Sequence, residues 1–281
     1  MEAQSLTICI PPPTEGPICD KRCPYCVSRM TGDIFTSEDL FDRNLEKAKT
    51  LAKAAHVPSI LITGKGEPLL RSGVVAYVLK RFKEFPSEIQ TNGIWLSENV
   101  STIKTLAQIG LNTIAISIDT LKQLHKFQDI IKEIELANMT CRICLNITDM
   151  IDTSLSFEDL FSEVSRHLPE GHQLLIRNIM IPAVIKYDTE EINKVANWIK
   201  KHVNPRIYKK LYVDFEHLIN KESDLVRLLP HGAAVYHYEG IDVSFSDYCI
   251  QESNNTKDIR SLIYDGHIYT SWDKMPGSRL F

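Results

Sequence analysis

Three cysteines crowd one short stretch near the start of the chain: Cys19-Asp20-Lys21-Arg22-Cys23-Pro24-Tyr25-Cys26. A Cys-x3-Cys-x2-Cys spacing lets one loop present three thiolates to a single inorganic centre. A 4Fe–4S cube has four irons, each wanting an outer ligand, and thiolates are its usual protein ligands. Cys19, Cys23 and Cys26 would take three corners. The fourth iron would be left to a small molecule carrying a free amine and carboxylate. Zinc is the competing occupant, since it wants four tetrahedral ligands and often takes closely spaced cysteines. Cys9 could complete such a set, but it lies in the apolar run Leu6-Thr7-Ile8-Cys9-Ile10 and reads as a core residue. No Cys-x2-Cys pair follows at zinc-ribbon spacing.

With an aromatic residue, Tyr25, before its last cysteine, this stretch resembles the hallmark of the radical S-adenosylmethionine (SAM) superfamily. The resemblance implies a cluster that donates one electron to bound SAM and releases a 5′-deoxyadenosyl radical, which takes hydrogen from a substrate. The cofactor supplies that chemistry, and the protein binds, orients and shields it. Two downstream segments match as well. Gly64-Lys65-Gly66-Glu67-Pro68 resembles the family's Gly-Gly-Glu-Pro, with Lys65 in place of one glycine, and Thr91-Asn92-Gly93 resembles its Thr-Asn-Gly. By this resemblance Tyr25, Gly66, Glu67, Asn92, Ser117 and Asn146 would help hold SAM. Glycine lets backbone approach a ligand, and a carboxylate suits an ammonium group.

The tail carries a fainter likeness. Gly232-Ala233-Ala234-Val235-Tyr236, Cys249, Arg260 and Asp265-Gly266-His267-Ile268 follow the order seen in the GTP cyclase family of molybdenum-cofactor biosynthesis and its SPASM/twitch-type relatives. Arg177 and Pro182 stand where that family has an Arg…Pro strand, so Arg177 and Arg260 are implied as substrate-binding. The departures point to a remodelled pocket. Cys249 stands alone where the cyclase has three tail cysteines for a second cluster, and the last residues are Gly277-Ser278-Arg279-Leu280-Phe281 rather than a Gly-Gly end. A thiol S–H bond is weaker than most C–H bonds, which makes Cys249 a candidate catalytic hydrogen-atom donor, the logic of radical SAM epimerases. The alternative is a small buried hydrophobe.

The elements that must position these residues are those of one large α/β domain with a small appendage, for 281 residues at 43% hydrophobic content. A net charge of −4 gives no sign of a general nucleic-acid or anionic-membrane surface. No apolar run reaches membrane-spanning length, and no leader pattern opens the chain. Seven cysteines, three of them bunched, do not form a disulfide framework. A reducing cytoplasm is the expected setting.

A βα rhythm repeats six times, with strands expected at Ser5–Ile10, Ser59–Thr63, Glu88–Thr91, Thr113–Asp119, Thr140–Asn146 and Gln173–Met180. Helical periods lie between them, and Ser37 and Ser156 read as N-caps. Strand-helix alternation implies a parallel sheet with right-handed crossovers. By resemblance the fold is a partial (β/α)6 TIM-type barrel over residues 1–205, with a small mixed C-terminal cap over residues 206–281. Barrel chemistry sits at the strands' C-terminal ends. In Thr113–Asp119 the isoleucines should face helices, while Ala115, Ser117 and Asp119 line the barrel. The same test places Cys141 in the core and Arg142, Cys144 and Asn146 inside the barrel, which discounts the Cys-x2-Cys spacing of Cys141 and Cys144 as a metal pair. Past Pro205, Val235–Val243 and Ile259–Trp272 read as short strands, the latter turning at Asp265-Gly266.

The leading reading is a radical SAM enzyme acting on a small polar, nucleotide- or sugar-like substrate. Its electrons would come from a donor such as flavodoxin or ferredoxin, and its outcome would be a rearrangement, lyase or epimerase reaction. The alternatives are a peptide-modifying enzyme of the same superfamily and a non-catalytic metal-binding protein.

Overall fold

A computed structural model describes residues 2–30, 37–152, 154–181, 189–221, 224–228, 234–246, 258–259, 261–270 and 279–281. The alternation read in the fourth strand is realised there. Over β4 (Thr113–Ile118), Ile114, Ile116 and Ile118 are fully buried in the main core. Each stabilises the fold by roughly 1.5–3 kcal/mol. Ser117, between them, faces the other way and is only half-buried.

The same logic repeats around β1 (Leu6–Ile10), β2 (Ile60–Gly64), β3 (Ser87–Thr91), β5 (Thr140–Ile147) and β6 (Gln173–Asn178). These six strands pair in chain order, every neighbour parallel. Helices α1 (Glu38–Ala54), α2 (Ser72–Arg81), α3 (Ile94–Glu98), α4 (Thr102–Gln108), α5 (Gln128–Leu136), α6 (Phe157–Ser165) and α7 (Glu190–His202) fill the crossovers. The Ser37 hydroxyl accepts from the Leu40 N–H to start α1, and Ser156 forms a capping box with Asp159 at α6. Both caps had been legible in sequence. Cys141 is fully buried in the main core, while Cys144 is buried outside that cluster, on the barrel side of β5.

The C-terminal part adds α8 (Pro205–Leu218), β7 (Leu225–Leu228), β8 (Ala234–Tyr238), β9 (Ile241–Ser246), β10 (Leu262–Tyr264) and β11 (Ile268–Tyr269). Its strands lengthen the barrel sheet at both edges. The order is β11-β10-β1-β2-β3-β4-β5-β6-β9-β8-β7, with β10 parallel to β1 and β9 parallel to β6. Eight successive strands are thus parallel. Tyr264 joins the tail to α1 through a hydrogen bond to the Phe41 carbonyl, and Asn44 Nδ2 donates to the Gly266 carbonyl at 2.8 Å.

One tail expectation needs correction. Val235–Val243 is not one strand but a hairpin, because Glu239 and Gly240 both take positive φ (45° and 85°) and reverse the chain. Two left-handed residues are what a tight hairpin turn needs. Helix α8, capped by Asn204 and opened by Pro205, has no counterpart among the elements expected from sequence. The turn at Asp265-Gly266 occurs as expected, and Trp272 lies outside the described residues. No helix among the described residues is long and apolar enough to cross a membrane.

Candidate active site

Every site residue expected from sequence that falls among the described residues lies on the C-terminal half of a parallel strand or in the loop after it. The cysteine loop follows β1, Gly66 and Glu67 follow β2, Asn92 follows β3, and Ser117, Asn146 and Arg177 stand on β4, β5 and β6. Asn146 and Arg177 are register partners, and Ser246 of β9 is the partner of Arg177 on its other side. Ser117 is the register partner of Cys144. Cys249 and Arg260 lie outside the described residues, as does Pro182.

The cysteine loop is held from several directions. The Glu67 N–H donates to the Ile18 carbonyl at 3.0 Å, and a side chain on Gly66 would collide with that same carbonyl, 1.8 Å from its Cβ. Only glycine permits this approach. Gly66→Ala is therefore expected to cost on the order of 1–3 kcal/mol as an overpacking change. It should lower the thermal midpoint and weaken SAM binding, and an unchanged midpoint would contradict the contact.

Farther along the loop, Lys21 Nζ pairs with Asp119 at 2.6 Å, and Asn92 Nδ2 donates to Asp20 at 2.6 Å. Tyr25 is buried, its ring 5.4 Å from Trp198 of α7 in a small apolar cluster with Met30, Ile192 and Ile199. Its hydroxyl accepts from Asn146 Nδ2 at 3.2 Å, and that same amide lies 3.4 Å from Asp119. Arg29 donates to the Cys23 carbonyl at 2.8 Å and pairs with Glu191 on α7.

Glu67 is the most constrained acid of the site. Its carboxylate accepts from Leu69 N–H (3.0 Å), the Thr91 hydroxyl (2.8 Å) and Asn92 N–H (2.9 Å), which ties the loops after β2 and β3 together. Burial pushes its pKa above the ordinary carboxylate value despite these donors. A carboxylate has about four lone-pair sites. Three are taken by these donors.

The donor set of the loop fits a cube. Burial raises the Cys19 thiol, and burial pushes Cys23 up to about 11, with Lys21 opposing and Asp119, Cys26 and Cys19 adding repulsion. The three thiols therefore feel one another. Three thiolates on one short loop suit a cube, which distributes them over separate irons and leaves its fourth iron to a small molecule, whereas a closed zinc site wants a fourth protein ligand.

The Radical SAM superfamily model matches residues 16–167, just over half of the chain, from the cysteine loop through β5 and α6. The chain belongs to the radical SAM superfamily. As a radical SAM protein it uses a 4Fe–4S cluster and SAM, with the loop cysteines as the fitting donor set.

Among relatives, this radical SAM chain is 35% identical over 119 residues to a GTP 3′,8-cyclase of Clostridium perfringens (strain SM101 / Type A), covering 40% of the chain and 34% of the relative. It is 38% identical over 109 residues to that of Helicobacter pylori (strain J99), covering 37% of the chain and 32% of the relative. A match to the GTP 3′,8-cyclase of Clostridium acetobutylicum runs longer, at 27% identity over 74% of the chain and 62% of that protein. The chain thus spans about a third of the first of these relatives and less than two thirds of the last. Among solved structures, SuiB of Streptococcus suis bound to the precursor peptide SuiA matches with a TM-score of 0.52 at 16% identity, covering 97% of this chain and 60% of that one. That likeness is one of fold.

Sequence reasoning missed the Lys21–Asp119 pair and the place of Ser246. Asp119 had a signal, since strand alternation puts it on the lumen side. Lys21 had none, because its partner is 98 positions away and is reached only through the folded loop.

Proposed function

We propose that this chain cleaves SAM reductively and removes a hydrogen atom from a small polar substrate of the nucleotide or sugar-like kind, held in the barrel lumen. The observation that carries the substrate class is the polar wall. Arg142 bonds Glu88 and Gln173 toward the N-terminal ends of the strands, and Arg177 sits between Asn146 and Ser246 near their C-terminal ends. An anionic or hydroxyl-rich molecule suits such a wall, and the named relatives, GTP 3′,8-cyclases, lean the same way.

When bound, the cluster and SAM supply a 5′-deoxyadenosyl radical. The chain's own residues do the rest. Cys19, Cys23 and Cys26 hold the cluster, while Gly66, Glu67 and Asn92 shape the SAM side, with Ser117 and Asn146 across from them. Tyr25 and α7 close the loop against water. Arg177 orients the substrate, with Arg260 as a second cation for the same task. Residues 1–205 form the radical-generating barrel, and residues 206–281 supply the substrate region. Reduced flavodoxin or ferredoxin in a cytoplasmic setting is the proposed electron source.

Anaerobic incubation with cell metabolites tests the reading. A nucleotide- or sugar-like mass should disappear as 5′-deoxyadenosine accumulates, and consumption of added peptides alone would replace it with the peptide-modifying alternative.

Cys249 is the proposed hydrogen-atom donor in a redox-neutral variant of this reaction. A donor thiol exchanges with solvent, so product formed in deuterated buffer should gain deuterium at the attacked carbon. Cys249→Ala should then make 5′-deoxyadenosine without that product. Normal turnover by Cys249→Ala removes the thiol from the chemistry.

A further inference from the structure

We propose that His125, Glu163 and His167 form a second metal site, one that binds a single zinc-type divalent cation on the outer helical layer. The inference is independent of the radical chemistry. His125 lies in the 3-10 helix Leu121–Phe127 that follows β4, Glu163 lies on α6, and His167 lies just beyond the end of α6. One ligand atom from each stands within 4.8 Å of the other two. The two imidazoles approach edge-on, with centroids 4.3 Å apart. Glu163 Oε1 is 3.7 Å from His167 Nε2.

Imidazole nitrogen and carboxylate oxygen are the donors zinc takes outside thiolate sites, and three protein ligands with one open position make a complete set. Two features go beyond a chance surface cluster. The His167 side chain is only 6% exposed, so its ring is held in place rather than sampling solvent. Its other nitrogen, Nδ1, lies 2.8 Å from Gln128 Nε2. Metal-bound histidines characteristically have their second nitrogen fixed by such an outer partner. Metal binding would turn the Gln128 amide over, so that its oxygen accepts from Nδ1–H and the Nε2 lone pair is free for the metal.

Arg166 competes for Glu163 at 2.7 Å, but its side chain is 67% exposed and swings away at little cost. Occupied, the site would tie the helical turn after β4 to α6. That turn begins beside Asp119, whose N–H donates to Gln123 at 2.6 Å.

The test uses full-length protein with its cysteines loaded with iron–sulfur cluster, titrated with zinc chloride. Bound zinc is counted, and its ligand shell is read by X-ray absorption. One zinc per chain is expected, surrounded by nitrogen and oxygen at about 2.0–2.1 Å. His167→Ala and Glu163→Gln should each weaken binding at least tenfold, and Gln128→Leu by roughly ten- to a hundredfold. His125→Ala, at an exposed position, serves where the buried ring cannot be removed without unfolding. Failure to take up zinc would overturn the proposal. So would uptake unchanged in His125→Ala, or a shell containing sulfur at about 2.3 Å.

Discussion

Cys23→Ala is expected to empty the loop of its cluster, taking bound iron from about four per chain to none and SAM cleavage to background. Cys23 is the middle ligand, and the two thiols left cannot hold a cube whose fourth iron is already without a protein ligand. Cys19→Ala and Cys26→Ala should behave alike for the same reason. The fold should survive, since the loop is also pinned by Ile18 to Glu67, Lys21 to Asp119 and Tyr25 to Trp198. Thermal unfolding of the iron-free chains should therefore move little. A Cys23→Ala protein that still reconstitutes to full iron would place the cluster elsewhere.

Glu67→Ala should do the reverse, keeping the iron and losing SAM. The substitution removes no thiolate, but it strands the Leu69 and Asn92 N–H groups and the Thr91 hydroxyl in a buried place. Orphaned buried donors cost about 1–3 kcal/mol each at most, and partial relaxation sets the expected total at about 2–4 kcal/mol. SAM affinity should fall at least tenfold, because the loops after β2 and β3 lose their common anchor and the cation loses an acceptor. The effect also has a pH signature. Burial raises the carboxyl of Glu67 above its usual 4.5, so protonation favours the folded state. Its contribution is full below about pH 4.5 and declines as pH rises through the raised value. The stability gap between parent and Glu67→Ala should therefore be widest in acid and narrow toward neutrality. A gap that widens with pH, or unchanged SAM affinity, would contradict this placement.

Local pattern carried much of this site. The isoleucines of Thr113–Ile118 alternate strictly, so their facing, and with it the lumen position of Ser117, could be read from period alone. The same parity separated Cys141 from Cys144 although their spacing imitates a metal pair. Glycine at 66 was legible as a place of close approach, but not that the approaching group would be the Ile18 carbonyl. What stayed hidden depends on distant partners. Nothing near residue 262 announces that Leu262–Tyr264 will lie beside β1, or that Ile241–Ser246 will extend the sheet beyond β6, because parallel pairing leaves no local turn to read. Glu239-Gly240 lacks the Asn-Gly or Asp-Gly signature, so its hairpin passed as one strand. Helix α8 did carry a signal, with Ile207, Leu211 and Phe215 along one face.

The central claim is that the loop of Cys19, Cys23 and Cys26 holds a cube able to cleave SAM at the mouth of this barrel. Anaerobic reconstitution with iron and sulfide, followed by addition of SAM and a low-potential reductant, tests it most directly. The expected result is a brown protein with about four irons per chain that slowly releases 5′-deoxyadenosine and methionine even without substrate. A colourless protein that retains one zinc at these cysteines, takes up no iron and leaves SAM intact would contradict it.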